Sequence, residues 1–288
     1  MQVRDFFRHL RLHWQVLLSP LFLWGFLLSG GKVGPKFWLA FFMFHVLFYG
    51  GATALNSYYD QDDGPVGGLW NPPQATRALL VFAVAIQVLG LLIVFFVDKP
   101  LSGLALIMGI VGNGYSHPAL RLKAYPWTSL LAVSIFQGMG GTAAGWLTGT
   151  DNWRTLISLE ALLGMAVAFL VITAFYPLTQ LYQREEDERR GDISFAVRWG
   201  ERCFPLSLAC LLITAALLGF ISWRMFGLGA ALIAMGGPLF LAAYVASWWK
   251  HYEPARVREN YLRMMRMGYM QTAGFLGFIL WQLLDRAV

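Results

Sequence analysis

The strongest constraint on this chain is a series of long apolar stretches that recur from one end to the other. An α-helix of roughly 20 apolar residues crosses the hydrocarbon core of a bilayer, where the backbone must satisfy its own hydrogen bonds. We count about nine such stretches, at 14–30, 37–57, 76–97, 101–116, 126–148, 156–181, 204–224, 227–249 and 266–285. The sequence therefore predicts an all-α, polytopic membrane protein with about nine transmembrane helices.

The composition indicates a surface that is covered largely by lipid. Of the 288 residues, 57% are hydrophobic and only 13% are charged, whereas soluble domains carry about 25% charged residues. A soluble chain of this size would still need a polar surface. The net charge of +6 does not indicate nucleic-acid binding, because no soluble basic module carries it. We expect the lipid bilayer as a partner, while the oligomeric state stays open.

Lysine and arginine residues fall mainly on one side of the predicted membrane topology. If the N-terminus is cytoplasmic, sixteen of the 22 basic residues lie in cytoplasmic segments. The positive-inside rule then places the N-terminus and the polar loops in the cytoplasm, with the helices in the cell (inner) membrane. Arg4, Arg8 and Arg11 share one face of a predicted interfacial amphipathic helix over 1–12.

The polar loops indicate how the helices are organised. No linker divides the chain, so we expect a single domain over 1–288. The cytoplasmic loops 58–75 and 182–203 follow the second and the sixth predicted helix, with four helices between them. This spacing predicts two four-helix halves plus a final helix, related by internal pseudo-symmetry.

The first polar cluster runs from Asn56 to Pro73 and is rich in aspartate. Asn56 and Asp60 are four residues apart, so they share one face at the end of the second helix. Asp60, Asp62 and Asp63 repel one another unless a cation neutralises them. Oxygen ligands of this kind suit Mg²⁺, which usually takes one or two carboxylates together with substrate phosphates. The alternative is a solvated acidic helix end.

The second cluster follows the sixth helix. Gln180, Gln183 and Asp187 have the spacing i, i+3 and i+7, which predicts a single polar stripe on one helix. The charged residues around Asp187 are equally compatible with a solvated helix end that carries ion pairs.

The third cluster follows the fourth helix and reads Tyr115-Ser116-His-Pro-Ala-Leu-Arg121-Leu-Lys123. Two basic side chains just beyond a helix end can face a polyanion, or they can act as a positive-inside anchor. Asn113 is a polar residue inside a predicted span, where it either joins helices or contributes to a site.

Together the three clusters resemble the UbiA-type intramembrane prenyltransferase superfamily. Asn56-x-x-x-Asp60 with its trailing aspartates resembles the first aspartate-rich motif of that family. The stretch 115–123 is similar to the family's Tyr-Ser-x-Pro-Pro-Leu-Arg-Leu-Lys loop. Asp187-x-x-x-Gly191 followed by Val197-Arg198 and Gly200 is similar to the tail of its second motif.

The resemblance implies nine helices around a central cavity and a reaction in which a prenyl diphosphate alkylates a hydrophobic acceptor. It implies Mg²⁺ as cofactor, with metal ligands among Asn56, Asp60, Asp62, Asp63 and Asp187. The catalytic residues that it implies are Asp60, Arg121, Lys123 and Asp187. The substrate-binding residues that it implies are Asn56, Asn113, Tyr115, Ser116, Arg121, Lys123, Gln180 and Gln183.

The second motif departs from the family's Asp-x-x-Asp-x-x-x-Asp pattern, because its first two acids fall at Gln180 and Gln183. A neutral amide is a weaker Mg²⁺ ligand, so either one or two metal ions remain compatible with the sequence. Three activities stay open: prenyl transfer, cyclisation or hydrolysis of a prenyl diphosphate on the same fold, and a non-catalytic or transport-like role. The acids cluster at one end of the helices, whereas transporters usually place such residues near the bilayer midplane, which favours an enzyme.

Overall fold

The computed structural model describes residues 2–61 and 64–286, and these ranges are helical apart from the connections between helices. The connection over 64–76 holds an isolated bridge between Val66 and Leu69. Asp62 and Asp63 lie outside the described residues. The longer helices are α1 Val3–His9, α2 Leu12–Leu28, α3 Pro35–Asp60, α4 Arg77–Val97, α5 Lys99–Ser116, α6 Pro126–Thr150, α7 Leu159–Thr179, α8 Arg184–Arg190, α9 Phe195–Trp199, α10 Cys203–Phe226, α11 Leu228–Lys250 and α12 Val257–Asp285.

Each predicted span coincides with one of the helices α2, α3, α4, α5, α6, α7, α10, α11 and α12, which confirms an all-α polytopic fold. Six of these, namely α3, α4, α6, α7, α11 and the segment Phe195–Phe226 that contains α10, are long and apolar enough to cross a membrane by length and composition alone. The helix α2 has 17 residues. Arginines in the first turns of α12 lower its apolar content.

The helix α2 lies inside the bundle and contacts α3, α6, α7 and α12. Its Trp24 and Leu27 are fully buried. Its contact with α6 depends on two glycines, Gly25 and Gly145. A Cβ on Gly25 would lie 1.8 Å from the carbonyl oxygen of Thr142, and a Cβ on Gly145 would lie 1.8 Å from the carbonyl oxygen of Phe22. The two backbones therefore touch, as small residues allow in membrane helix pairs.

The outer surface of the bundle carries exposed apolar residues, as the hydrophobic composition of the chain predicts. On α4, Val81, Leu92 and Phe96 are 68%, 52% and 82% exposed. An apolar surface of this kind is unfavourable in water and suits hydrocarbon. The chain is therefore an integral membrane protein.

Helices that follow one another in sequence also pack together within each predicted half. In the first half, α3 packs against α4 and α5, and in the second half, α10 packs against α7 and α11. The last helix, α12, contacts both α2 and α11, so it joins the two halves.

Two predicted helical faces are interrupted. The helix α7 ends at Thr179 and α8 begins at Arg184, so the stripe predicted for Gln180, Gln183 and Asp187 is wrong. The helix α1 ends at His9, and Arg11 has a left-handed backbone with φ of 48°. Arg11 therefore does not continue the face of Arg4 and Arg8.

Candidate functional site

The three polar clusters converge at one end of the bundle, which we call the motif end and define by residues 56–61, 115–124 and 180–195. The amide of Asn56 at the end of α3 donates to the hydroxyl oxygen of Ser116 on α5, at 2.6 Å. Arg190 on α8 donates to the backbone carbonyl of Gln61, at 3.4 Å. Segments that lie 60 or more residues apart in sequence are therefore adjacent.

Asp60 and Lys123 form a buried ion pair at the motif end, with side chains that are 8% and 12% exposed. The pair joins the end of α3 to the loop after α5. Removing charges from water is costly, and a buried carboxylate is stable only with a cation or several hydrogen bonds beside it. Lys123 thus supplies the positive charge that the first cluster was predicted to need.

Arg121 makes a bidentate contact with Asp192, with both N–O distances at 2.9 Å. Asp192 is 5% exposed, and the hydrogen bond from the Ile193 amide to the Ala124 carbonyl, at 3.0 Å, runs alongside. Arg121 therefore holds the loop after α8 against the loop after α5. Sequence reasoning missed Asp192, for which no spacing signal exists.

Asp187 lies in the first turn of α8 and is partly buried. Burial raises the pKa of its carboxyl to about 7, although a hydrogen bond with Ser194 and the charges of Lys123 and Arg190 lower it. Lys123, which pairs with Asp60, thus also acts on Asp187. One cation therefore interacts electrostatically with both carboxylates.

Gln180 uses both polar atoms of its amide within the protein. Its Nε2 donates to the hydroxyl oxygen of Tyr176 at 2.8 Å, and its Oε1 accepts from the backbone amide of Phe195 at 2.9 Å. The hydroxyls of Tyr176 and Tyr115 are 2.5 Å apart. Gln180 therefore links the start of α9 to the end of α7, and it hydrogen-bonds to Tyr176 of the tyrosine pair. Gln183 precedes α8, and its side chain makes no capping hydrogen bond there.

A central cavity of about 270 Å³ lies below these residues. The lining residues at its polar end are Asn56, Tyr115, Ser116, Tyr176 and Thr179. Its remaining walls are mostly apolar and include Leu17, Leu21, Phe48, Met108 and Phe136. The cavity is thus suited to a molecule with a polar head and a hydrocarbon tail.

Two segments of π-helix shape this cavity. They cover Met43–Tyr49 in α3 and Val133–Met139 in α6. The hydroxyl of Tyr49 donates to the carbonyl of Gln137 at 3.3 Å, so the two segments meet, and both residues line the cavity. Such segments widen a helix locally and are frequent at functional sites.

Arg11 is a cavity residue that sequence reasoning assigned to the interfacial helix. It is 5% exposed, and its guanidinium donates to the hydroxyl of Ser57 at 2.7 Å. The left-handed turn at Arg11 places it on the cavity wall. Asn113, by contrast, does not line this cavity, and its backbone carbonyl accepts from the His117 amide.

The motif end carries side-chain oxygen atoms that could hold a divalent cation. Within residues 2–61 and 64–286, no group of three His, Cys, Asp or Glu side chains has the geometry of a metal site. Asp60 pairs with Lys123, the charge of Lys123 also acts on Asp187, and Asn56 lies one turn before Asp60. These are oxygen ligands of the type that Mg²⁺ prefers.

Comparison with known proteins places this architecture in a family. The model of the UbiA prenyltransferase family matches residues 18–268. The chain belongs to the UbiA prenyltransferase family. No curated protein sequence matches it.

Solved structures confirm the fold of this family member. A UbiA homologue from Archaeoglobus fulgidus bound to DMAPP and Mg²⁺ has a TM-score of 0.71 and 18% identity, covering 94% of this chain and 99% of that one. The same homologue bound to GPP and Mg²⁺ has a TM-score of 0.71 and 18% identity, covering 96% and 99%. A structure described as digeranylgeranylglyceryl phosphate synthase in membranes has a TM-score of 0.66 and 15% identity, covering 96% and 98%.

Proposed function

We propose that this protein transfers an isoprenyl group from a prenyl diphosphate to a lipophilic acceptor, with Mg²⁺ as cofactor. The observation that carries this proposal is that the apolar cavity reaches the charged motif end. Asn56, Tyr115 and Ser116 line the cavity where the two meet, and Asp60 and Lys123 lie next to them. The homologue structures with DMAPP or GPP and Mg²⁺ support the same choice of ligand.

The residues at the motif end have distinct roles in this reaction. Asn56, Asp60 and Asp187 would hold the metal, which neutralises diphosphate charge when bound. Lys123 and the free edge of the Arg121 guanidinium stabilise negative charge on the departing diphosphate. Asp62 and Asp63 remain predicted metal ligands outside the described residues.

The chemical step breaks the bond between C1 of the prenyl group and the diphosphate oxygen, and the electron pair leaves with the diphosphate. The acceptor's nucleophilic atom forms a new bond to C1 and then loses its proton. The apolar walls of the cavity exclude water, which would otherwise capture the allylic cation. Phe48 and Phe136 line the cavity, and aromatic rings of this kind stabilise a cation that lies over their π faces.

Replacing Asp60 tests the proposal. Purified protein in lipid nanodiscs, given radiolabelled geranylgeranyl diphosphate, Mg²⁺ and a membrane lipid extract as the source of acceptor, should form labelled lipid product. We expect Asp60→Ala to lower the rate by at least about 100-fold, because it removes a carboxylate that would hold the metal that neutralises the leaving diphosphate.

Glu253→Ala is the matched control, because Glu253 is a 57% exposed carboxylate that pairs with Arg256, outside the motif end. Full turnover in Asp60→Ala would contradict the role of the first motif. Diphosphate release without a labelled lipid product would instead identify a cyclase or hydrolase. Absence of both binding and release in the unmodified protein would identify a non-catalytic relative.

A further inference from the structure

The buried ion pair between Asp60 and Lys123 and the proposed reaction make different demands on the same two side chains. In the structure, the Lys123 ammonium is directed at the Asp60 carboxylate. The proposed reaction assigns the carboxylate to a metal and the ammonium to the diphosphate. A buried charge is stable only beside an opposite charge. The two side chains must therefore exchange partners when metal and diphosphate bind.

The backbone on both sides of Lys123 is held in place. Lys123 lies in a short 3₁₀ turn over 122–124. Arg121, two residues before it, makes the bidentate contact with Asp192, and the carbonyl of Ala124, directly after it, accepts from the loop after α8 at 3.0 Å. The lysine ammonium itself is carried on a flexible four-carbon stem. Rotation of this side chain is therefore sufficient for an exchange of partners.

A divalent cation and a diphosphate each disturb the charge balance at this pair when they bind alone. The cation would lie beside the Lys123 ammonium, which has the same sign of charge. The diphosphate would lie beside the carboxylates of Asp60 and Asp187, on both of which the charge of Lys123 acts. When both ligands bind, the cation faces the carboxylates and the ammonium faces the diphosphate. Each ligand therefore lowers the electrostatic cost of binding the other.

We propose that Lys123 takes the place of the divalent cation at Asp60 until a prenyl diphosphate binds, and then moves to the diphosphate. This inference rests on the proposed function and adds a rule for binding: the divalent cation binds tightly only together with the diphosphate. Such coupling is reciprocal, so the cation raises the affinity for the diphosphate by the same factor. Lys123 is in this sense a competitor of the metal as well as a partner of the diphosphate.

Binding of Mn²⁺ to the full chain in nanodiscs tests the proposal, with geranyl thiolodiphosphate as a donor analogue that resists ionisation. Electron paramagnetic resonance measures free Mn²⁺, and empty nanodiscs with the analogue correct for Mn²⁺ held in solution. The unmodified protein should bind Mn²⁺ at least about tenfold more tightly with the analogue than without it. Lys123→Met should bind Mn²⁺ alone at least about tenfold more tightly than the unmodified protein does, because the ammonium no longer competes for the Asp60 carboxylate.

Arg184→Met is the matched control, because Arg184 pairs with Glu188 at the same end of the bundle and its replacement removes the same charge. We expect its affinity for Mn²⁺ alone to stay unchanged. Adding Asp60→Asn to Lys123→Met should abolish the gain, since the carboxylate is then absent. A purely structural Lys123 would leave the affinity for Mn²⁺ alone unchanged or lowered in Lys123→Met, and that result would overturn the proposal.

Two further outcomes would count against the exchange of partners. An equal gain in Arg184→Met would show a general effect of charge. Equal Mn²⁺ affinity of the unmodified protein with and without the analogue would also overturn the proposal, and this measurement does not depend on the folding of any variant. Failure of the analogue to bind the unmodified protein with Mn²⁺ would instead overturn the proposed function itself.

Discussion

At the scale of single residues, Gln180 shows how a neutral side chain can occupy a position where sequence comparison predicts a metal ligand. An ionised carboxylate only accepts hydrogen bonds. Gln180 instead donates to Tyr176 and accepts from Phe195, and it is 9% exposed. The amide therefore donates one hydrogen bond and accepts another, which an ionised aspartate cannot do. The bond that it donates positions Tyr176 at the polar end of the cavity.

Gln180→Glu removes the donor to Tyr176 and keeps an acceptor for the Phe195 amide. Because a buried hydrogen bond is lost beside the reacting centre, we expect turnover to fall by roughly tenfold with the fold intact. Prenyl transfer and thermal unfolding would be measured together. Gln183→Glu is the control, and we expect it to have little effect. Unchanged turnover with tighter Mg²⁺ binding in Gln180→Glu would place this residue among the metal ligands instead.

At the scale of elements, the contact between α2 and α6 sets the position of one cavity wall. Both helices line the central cavity, and their backbones touch at Gly25 and Gly145. Because no side chain separates them there, a small addition must push one helix away. The dimensions of the site are thus tied to two residues that contribute no chemistry.

Gly145→Ala should therefore destabilise the protein, since its Cβ would overlap the carbonyl of Phe22. Overpacking of this kind costs about 1–3 kcal/mol or more, which should appear as a lower Tm in detergent, followed by tryptophan fluorescence. Gly277→Ala, whose Cβ meets no atom within 4 Å, should keep the Tm of the unmodified protein. A Tm for Gly145→Ala equal to that of this control would show that α2 and α6 are not in backbone contact.

At the scale of the whole molecule, the bundle carries its charged loops at the motif end and a smaller set of ion pairs at the opposite end. There, Lys36 contacts both Asp98 and Asp151. Sixteen of the 22 lysine and arginine residues lie in segments that the predicted topology assigns to the same side as the motif end, which supports our proposal that this end is cytoplasmic. The diphosphate site would then be open to water-soluble ligands on that side of the membrane.

Introduced cysteines test this orientation. The two native cysteines, Cys203 and Cys210, are buried, so they leave a low labelling background. Arg154→Cys, at the opposite end, should react with a membrane-impermeant maleimide in intact cells. Glu185→Cys, at the motif end, should react only after permeabilisation. The reverse pattern would invert the proposed topology.

The sequence alone determined the helices, their number and the presence of three polar clusters, because apolar length and short motif spacing are local properties. It also led to the family through Asn56, Asp60 and the stretch 115–123. Only the tertiary structure decided that Lys123 pairs with Asp60, that Arg11 reaches the cavity wall, and that Gln180 is fastened to Tyr176 and Phe195.

The helix break after Thr179 and the dimensions of the central cavity were likewise beyond local patterns. The break turns an expected stripe into separate contacts, and the dimensions of the cavity depend on how closely α2 and α6 approach. The physical reason is common to both: hydropathy reports which segments leave water, whereas the partners of a buried polar atom and the space between helices depend on packing between distant parts of the chain.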